Sequence, residues 1–123
     1  MNDYETQAKL YKALMHPVRL AILDILRSGE ECVCHMEAIL GLRQAYVSQQ
    51  LMVLREVGLI QERRDGWNIF YRVINPQVYT VVDAMNALVG GNPATPVYAS
   101  GARIRSDTCP CPRCNPVVET VAG

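Results

Sequence analysis

The sequence predicts a mainly α-helical fold with one β-hairpin, in which a helix-turn-helix is followed by the hairpin. Residues 35–60 contain two amphipathic helical segments with a break at Gly41. Two helices joined by a tight, glycine-containing turn form a helix-turn-helix. Directly afterwards, Asp65-Gly66 is a strong hairpin-turn signal, and the β-prone residues that follow it predict the second hairpin strand.

Helix start and stop signals predict the elements on either side. Residues 4–15 have a loose helical pattern. A second helix begins near Pro17, which suits a first helical turn, and ends at Ser28-Gly29. A last helix follows Pro76. The inward faces of the second helix and the helix-turn-helix are indicated by apolar spacing at Val18, Ile22, Ile25, Leu26, Met36, Ile39, Leu40, Val47, Leu51 and Leu54.

Length and composition favour one small globular domain. The chain has 123 residues, half of them apolar, and its 12 basic residues balance 12 acidic ones. Because residues 43–72 hold five Arg against three acids, an anionic partner is expected to meet this middle region. No apolar run approaches the ~18 residues of a membrane span, and the N-terminus lacks a signal-peptide core. We therefore expect a cytoplasmic protein with no membrane partner.

The chain changes character near Gly90. Five of the seven prolines lie in residues 90–123, and apolar periodicity disappears there. We therefore predict one folded domain over 1–90 and a flexible or locally ordered tail over 91–123. The last helix has an apolar stripe that a domain of this size has little core to cover, which indicates a dimer interface. The alternative is packing within the chain. The stripe consists of Val78, Val81, Val82, Met85 and Leu88.

The outward face of the second helix of the pair has the composition of a DNA-binding surface. Its hydroxyls, amides and aromatic ring suit base edges and phosphates in a major groove. It carries no acid before Glu56, and an acid would be repelled by phosphate. The hairpin adds arginines around Trp67, as expected of a wing along the DNA backbone. A helix-turn-helix that serves only as a protein scaffold is the alternative. The predicted DNA contacts are Arg43, Gln44, Tyr46, Ser48, Gln49, Gln50, Arg63, Arg64 and Trp67, with Arg72 also on the hairpin.

This order of elements resembles the ArsR/SmtB family of metal-sensing winged-helix repressors. The resemblance covers roughly residues 5–90 and rests on "HPVRLAIL", "ECVCH", "VSQQLMVLREVGLI" and a hairpin that ends in "YRV". It implies a homodimer built on the first and last helices, which binds double-stranded operator DNA and represses transcription while empty. It also implies that the DNA contacts include Gln44, Tyr46, Ser48, Gln49 and Gln50.

The five cysteines form two clusters, Cys32-Val-Cys34 and a tail cluster over 109–114. Their odd number and spacing favour thiol or metal chemistry over structural disulfides in a reducing compartment, and thiolates select soft ions. Residues two apart on a helix point about 200° apart. Both Cys32 and Cys34 can therefore bind one ion only if the backbone at 32–34 stays extended or unwinds.

In the family resemblance, the cysteine pair is the thiol site of the arsenite and cadmium/lead sensors. His35 stands where the family usually has Asp, so no role is carried over, and at a helix start it is expected to be a surface residue or cap. The family also has a zinc site on the last helix. Asp83 matches its first position, but Met85, Pro96 and Ala99 occupy the others, so we expect that site to be missing.

Two thiolates make a poor site for arsenite, which favours a third, or for cadmium, which favours a fourth. A coil from Val89 to Cys109 spans about 25 Å on average and about 66 Å at full extension. The leading hypothesis is therefore a composite site for arsenite or antimonite, or for cadmium or lead, without an organic cofactor. Its candidate ligands are Cys32 and Cys34, together with one or two of Cys109, Cys111 and Cys114.

Three alternatives remain open for the cysteines. The tail cluster can bind an ion by itself, or act as a scavenger or zinc knuckle unrelated to sensing. The cysteines can also be redox sensors that form disulfides or polysulfides. An enzyme is not predicted, because no catalytic constellation is present. Cys111 and Cys114 have C-x-x-C spacing, but their proline-rich surroundings lack an oxidoreductase scaffold.

Overall fold

Five helices and a three-stranded antiparallel sheet make up residues 3–90, the part of the chain that the computed structural model describes. This arrangement confirms the predicted mainly α fold with a hairpin wing. The predicted tail and its three cysteines lie outside the described residues. The elements are α1 (Asp3–Leu14), α2 (Pro17–Ile25) with a 3-10 turn (Leu26–Ser28), β1 (Glu31–Cys32), α3 (Val33–Leu40), α4 (Gln44–Glu56), β2 (Ile60–Asp65), β3 (Asn68–Val73) and α5 (Gln77–Leu88).

The helix-turn-helix consists of α3 and α4, and its turn depends on Gly41. This residue has φ 67° and ψ 30°, the left-handed conformation in which a side chain is disfavoured. Its N–H donates to the Glu37 carbonyl at 2.9 Å, which closes the last turn of α3. The break predicted at Gly41 is therefore confirmed.

The wing is the hairpin of β2 and β3, and a third strand extends it. Asp65 pairs with Asn68, so the two turn residues are Gly66 and Trp67, one position later than Asp65-Gly66. On the other side of β3, Cys32 pairs with Phe70. Sequence analysis missed β1, because a two-residue strand shows no period.

The core confirms most of the predicted inward positions. Val18, Ile39 and Leu40 are partly buried against it, and Leu23 is fully buried although the proposed stripe omitted it. Burying a side chain of this kind contributes roughly 1.5–3 kcal/mol. The predicted positions that are buried are Ile22, Ile25, Leu26, Met36, Val47, Leu51 and Leu54.

The apolar stripe of α5 is divided between the core and the surface. Val78 is buried and Val82 half-buried, whereas Met85 is 53% and Leu88 77% exposed. On α1, Tyr4 is 82% exposed. The intramolecular alternative therefore accounts for only part of the stripe, since apolar surface remains on both helices. Across residues 3–90, no helix is long and apolar enough to cross a membrane.

Candidate DNA-binding surface and thiol site

Cys32 lies at the junction between the wing sheet and the helix-turn-helix. It ends β1, and with φ −85° and ψ 159° it is the extended N-cap of α3. Its Sγ accepts a hydrogen bond from the His35 N–H at 3.2 Å, so the sulfur acts as the cap of α3. The side chain is fully buried, and it packs with Phe70 of the wing.

Cys34 lies in the first turn of α3, and its sulfur meets that of Cys32. The two Cα atoms are 5.4 Å apart, and the sulfurs are joined as a disulfide. The extended backbone at Cys32 allows this meeting, as the sequence argument required for a shared site. The pairing itself differs from the expectation of unpaired thiols, because the junction brings two sulfurs together that a regular helix would separate.

The surroundings of the cysteines correct one expectation. His35 is 1% exposed, so the expectation of a surface residue is wrong. Helix α3 packs against the strands β1 and β3, and the burial of His35 accompanies this packing. Over residues 3–90, no group of three or more His, Cys, Asp or Glu side chains is arranged to hold a metal ion. The described region therefore brings two sulfurs together at this junction.

Arg63 connects the segment before β1 to the wing. Its guanidinium donates to both carboxylate oxygens of Glu30, at 2.6 and 3.0 Å, and lies 4.8 Å from the centre of the Phe70 ring. The hydrogen bond to Glu30 raises the pKa of Arg63. The positive charge predicted to contact phosphate is thus paired with a carboxylate in this structure.

The remaining wing residues reach solvent. Trp67 is fully exposed at the hairpin turn, and Arg64 is exposed beside it. Arg72 is also exposed and donates to Gln61 Oε1 at 2.9 Å. These positions agree with a wing that can lie against DNA, although the contacts stay predictions.

The exposed face of α4 contains all but two of the predicted contacts on this helix. Arg43 is the N-cap, without a side-chain capping bond, and Ser48 is half-buried. Gln50 is 7% exposed, so its predicted outward position is wrong. It follows Val47 by three residues and precedes Leu54 by four, and this spacing puts it beside the buried stripe. The exposed positions are Arg43, Gln44, Tyr46 and Gln49.

Sequence analysis missed two polar residues that contact α4. His16 Nε2 lies 3.2 Å from the Tyr46 hydroxyl, and Arg19 Nε donates to Gln50 Oε1 at 2.9 Å. Both belong to the "HPVRLAIL" segment, which was used only as a mark of resemblance. The available signal was their polar character among apolar neighbours at the start of α2.

Comparisons with known proteins agree with this architecture. The family model described as "Bacterial regulatory protein, arsR family" matches residues 16–62. The biofilm growth-associated repressor of Agrobacterium fabrum is 42% identical over 81 residues, which are 66% of this chain and 69% of that protein. The arsenic resistance transcriptional regulator ArsR1 of Pseudomonas putida is 38% identical over 86 residues, which are 69% of this chain and 66% of that protein.

A solved structure extends the agreement to three dimensions. The homodimeric winged helix-turn-helix DNA-binding domain of a possible ArsR-family regulator from Mycobacterium bovis matches with a TM-score of 0.64 and 28% identity. The match covers 72% of this chain and 87% of that one. By its fold, its motifs and its relatives, the chain belongs to the ArsR family of winged helix-turn-helix transcriptional repressors.

Proposed function

We propose that this protein is a homodimeric repressor that releases its operator DNA when a thiophilic ion binds Cys32 and Cys34. The observation that carries the proposal is the meeting of the two sulfurs at the junction where the helix-turn-helix begins. Arsenite or antimonite is the first candidate for the ion, and cadmium or lead the second.

DNA binding is assigned to α4 and the wing. The exposed face of α4 presents Gln44, Tyr46 and Gln49, which have side chains suited to base edges and phosphates. The wing adds Arg64 and Trp67, both exposed. A dimer is supported by the apolar surface left on α1 and α5 and by the homodimeric mycobacterial relative.

Coupling between the ion and DNA follows from the position of Cys32. The residue belongs to β1, which is hydrogen-bonded to the wing strand β3, and it also caps α3, the first helix of the helix-turn-helix. The Glu30–Arg63 ion pair is a second connection between this segment and the wing. A change at the two sulfurs therefore acts directly on the wing sheet and on α3, and it reaches α4 through the packing of α3 against α4. Release of DNA requires a coupling free energy of about 1–3 kcal/mol, or about 5- to 150-fold in affinity.

The tail is proposed to supply the missing ligands. The described region offers two sulfurs, whereas arsenite favours a third and cadmium a fourth. Cys109, Cys111 and Cys114 are the remaining thiols of the chain. The intervening residues are long enough, at about 25 Å of average coil span, for a tail cysteine to approach the junction of its own or the partner subunit.

Oxidation is a second candidate signal, favoured by the disulfide that joins Cys32 to Cys34. Two thiols this close can be oxidised to a disulfide without large movement of the backbone, since Cα atoms 5.4 Å apart suit the bond. On this alternative, an oxidant or a reactive sulfur species takes the place of the ion at the same junction.

Operator affinity tests the proposal. A high-affinity duplex is first selected from random DNA with the reduced full-length protein. Its dissociation constant is then measured by fluorescence anisotropy at fixed salt, with and without arsenite or cadmium. We expect the ion to weaken wild-type binding about 5- to 150-fold and to leave a Cys32→Ser/Cys34→Ser variant unaffected. If that variant responds as the wild type does, the pair is not the sensor.

The same assay separates the two signals. Metal sensing requires arsenite to weaken operator binding while a non-thiol reductant keeps the cysteines reduced. Redox sensing instead requires diamide or a persulfide to act in the presence of a chelator, with reversal by reductant. Mass spectrometry of each sample identifies whether the cysteine pair carries an ion, a disulfide or a polysulfide.

A further inference from the structure

The corner between α1 and α2 holds the recognition helix α4 at two polar contacts. His16 Nε2 lies 3.2 Å from the Tyr46 hydroxyl, and Arg19 Nε donates to Gln50 Oε1 at 2.9 Å. Tyr46 and Gln50 are four residues apart, so both project from the same side of α4. The two contacts therefore hold α4 at two points that lie about one helical turn apart.

The hydrogen bonds of His16 indicate which of its ring nitrogens can donate to Tyr46. Its Nδ1 accepts a hydrogen bond from the Val18 N–H at 3.2 Å, which caps α2. In a neutral imidazole, an accepting Nδ1 leaves the proton on Nε2, which then donates to the Tyr46 hydroxyl oxygen.

Arg19 connects α4 to the C-terminal end of α1. Its Nη1 donates to the carbonyl oxygens of Lys12 and Ala13 at 3.2 and 3.0 Å. Both carbonyls belong to the last turn of α1, where the Lys12 carbonyl also accepts from the Met15 N–H at 3.2 Å. Because Gln50 is almost completely buried, its hydrogen bond to Arg19 is shielded from water.

We infer that His16 and Arg19 are positioning residues that set the orientation of α4 against α1 and thereby the specificity of DNA binding. The inference rests on the proposed function, in which α4 contacts bases and α1 belongs to the dimer interface. Contacts to base edges require close alignment, whereas contacts to phosphates depend mainly on charge. A loosened α4 is thus expected to lose discrimination between sequences before it loses general affinity for DNA.

A matched set of variants tests the His16 contact. His16→Asn keeps a good N-cap for α2 and removes the imidazole from Tyr46, and Tyr46→Phe removes only the hydroxyl. Full-length variants are compared on the selected operator and on a scrambled duplex of equal length. We expect His16→Asn to weaken operator binding about 3- to 10-fold, with scrambled-duplex affinity and the salt dependence unchanged. In the Tyr46→Phe background, His16→Asn is expected to add no further loss.

Arg19→Lys tests the second contact, because lysine keeps the charge but cannot donate to both helices from a fixed fork. We expect Arg19→Lys to reduce the preference for the operator over the scrambled duplex. In a Gln50→Leu background, this reduction is expected to disappear. Equal losses on both duplexes, or additive losses in either pair of variants, would overturn the inference. Thermal melts of every variant identify any general loss of folding. If the wild type itself does not distinguish the two duplexes, the proposed function fails instead.

Discussion

Cys32 belongs to two elements at once, because it ends β1 and caps α3. The C-x-C spacing predicted only that two sulfurs sharing one site would need a break in the helix at residues 32–34, since on a regular helix they point apart. It was not sufficient to predict the cap, which depends on the position of the His35 N–H. In the proposed function, the sulfur that caps α3 also binds the ion, so the start of α3 responds to the ion.

Cys32→Ala and Cys32→Ser separate the capping role from the thiol. Serine is a strong N-cap and alanine is not. In reduced protein, we expect Cys32→Ala to be about 1 kcal/mol less stable than Cys32→Ser, because it removes the acceptor of the His35 N–H. Urea denaturation followed by circular dichroism measures the difference. Equal stability of the two variants would mean that the cap contributes nothing.

Gln50 and His35 are the residues whose environments the sequence analysis misjudged. Residue type and local position decided both expectations. Gln50 was expected to be exposed as an amide among DNA contacts, and His35 as a histidine at a helix start. Burial, however, depends on what packs against the helix. Gln50 lies beside the buried stripe of α4 and accepts a hydrogen bond from Arg19, and His35 is buried on a helix that packs against the wing sheet. Such contacts between distant segments leave no periodic trace in one sequence.

At the scale of elements, the helices and the hairpin were predictable from apolar spacing and turn residues. The strand β1 was not, because its two residues are held only by pairing with β3. That pairing connects the thiol site to the wing. The polar contacts of α5 with α2 and its 3-10 turn were likewise not predicted: Tyr79 donates to the Leu23 carbonyl, and Asp83 accepts from Arg27.

Tyr79→Phe tests the junction of α2 and α5. The Tyr79 hydroxyl donates to the Leu23 carbonyl at 2.7 Å, and the ring lies under the Arg27 guanidinium. Removing the hydroxyl is expected to cost about 1 kcal/mol of unfolding free energy near pH 7, because the carbonyl loses its donor. Phenylalanine keeps the ring, so the contact with Arg27 is retained. Urea denaturation of both proteins measures the loss, and an unchanged midpoint would contradict this role.

The same substitution has a pH dependence of known sign. Burial raises the pKa of Tyr79, and the nearby Arg27 charge opposes the shift without cancelling it. As the pH rises, Tyr79 therefore ionises in the unfolded chain, near pH 10, before it ionises in the folded protein. This ionisation favours unfolding as the pH rises further. We expect the stability advantage of wild type over Tyr79→Phe to be constant below about pH 9 and to shrink above about pH 10. A difference that grows with pH would contradict the assigned burial.

At the scale of the whole molecule, the proposed function requires a dimer that binds operator DNA and an ion that is bound in part by the tail. Exposed apolar side chains on α1 and α5 indicate a dimer, and the exposed face of α4 indicates DNA. The contribution of the tail was predicted from cysteine count and reach alone. The tail has no apolar periodicity and lies outside the described residues. Cysteine count and reach therefore predict that tail sulfurs take part, without selecting among Cys109, Cys111 and Cys114.

Removal of residues 105–123 tests the composite site. We expect the truncated protein to bind operator as tightly as the full chain, because the predicted DNA contacts lie in residues 43–72. Its affinity for arsenite is expected to fall at least about tenfold with the loss of the third sulfur, a cost of about 1.4 kcal/mol. A full-length Cys109→Ser/Cys111→Ser/Cys114→Ser variant is the matched control. Unchanged arsenite affinity would eliminate the composite site.

The central claim is that sulfur ligation at the start of α3 opposes operator binding. The most direct test follows both events in one sample, by titrating arsenite into the reduced protein–operator complex. X-ray absorption counts the sulfurs bound to arsenic, while anisotropy reports the fraction of DNA released. The account requires DNA release to rise in step with ligation by Cys32 and Cys34. Full ligation of both sulfurs with unchanged operator affinity would contradict it.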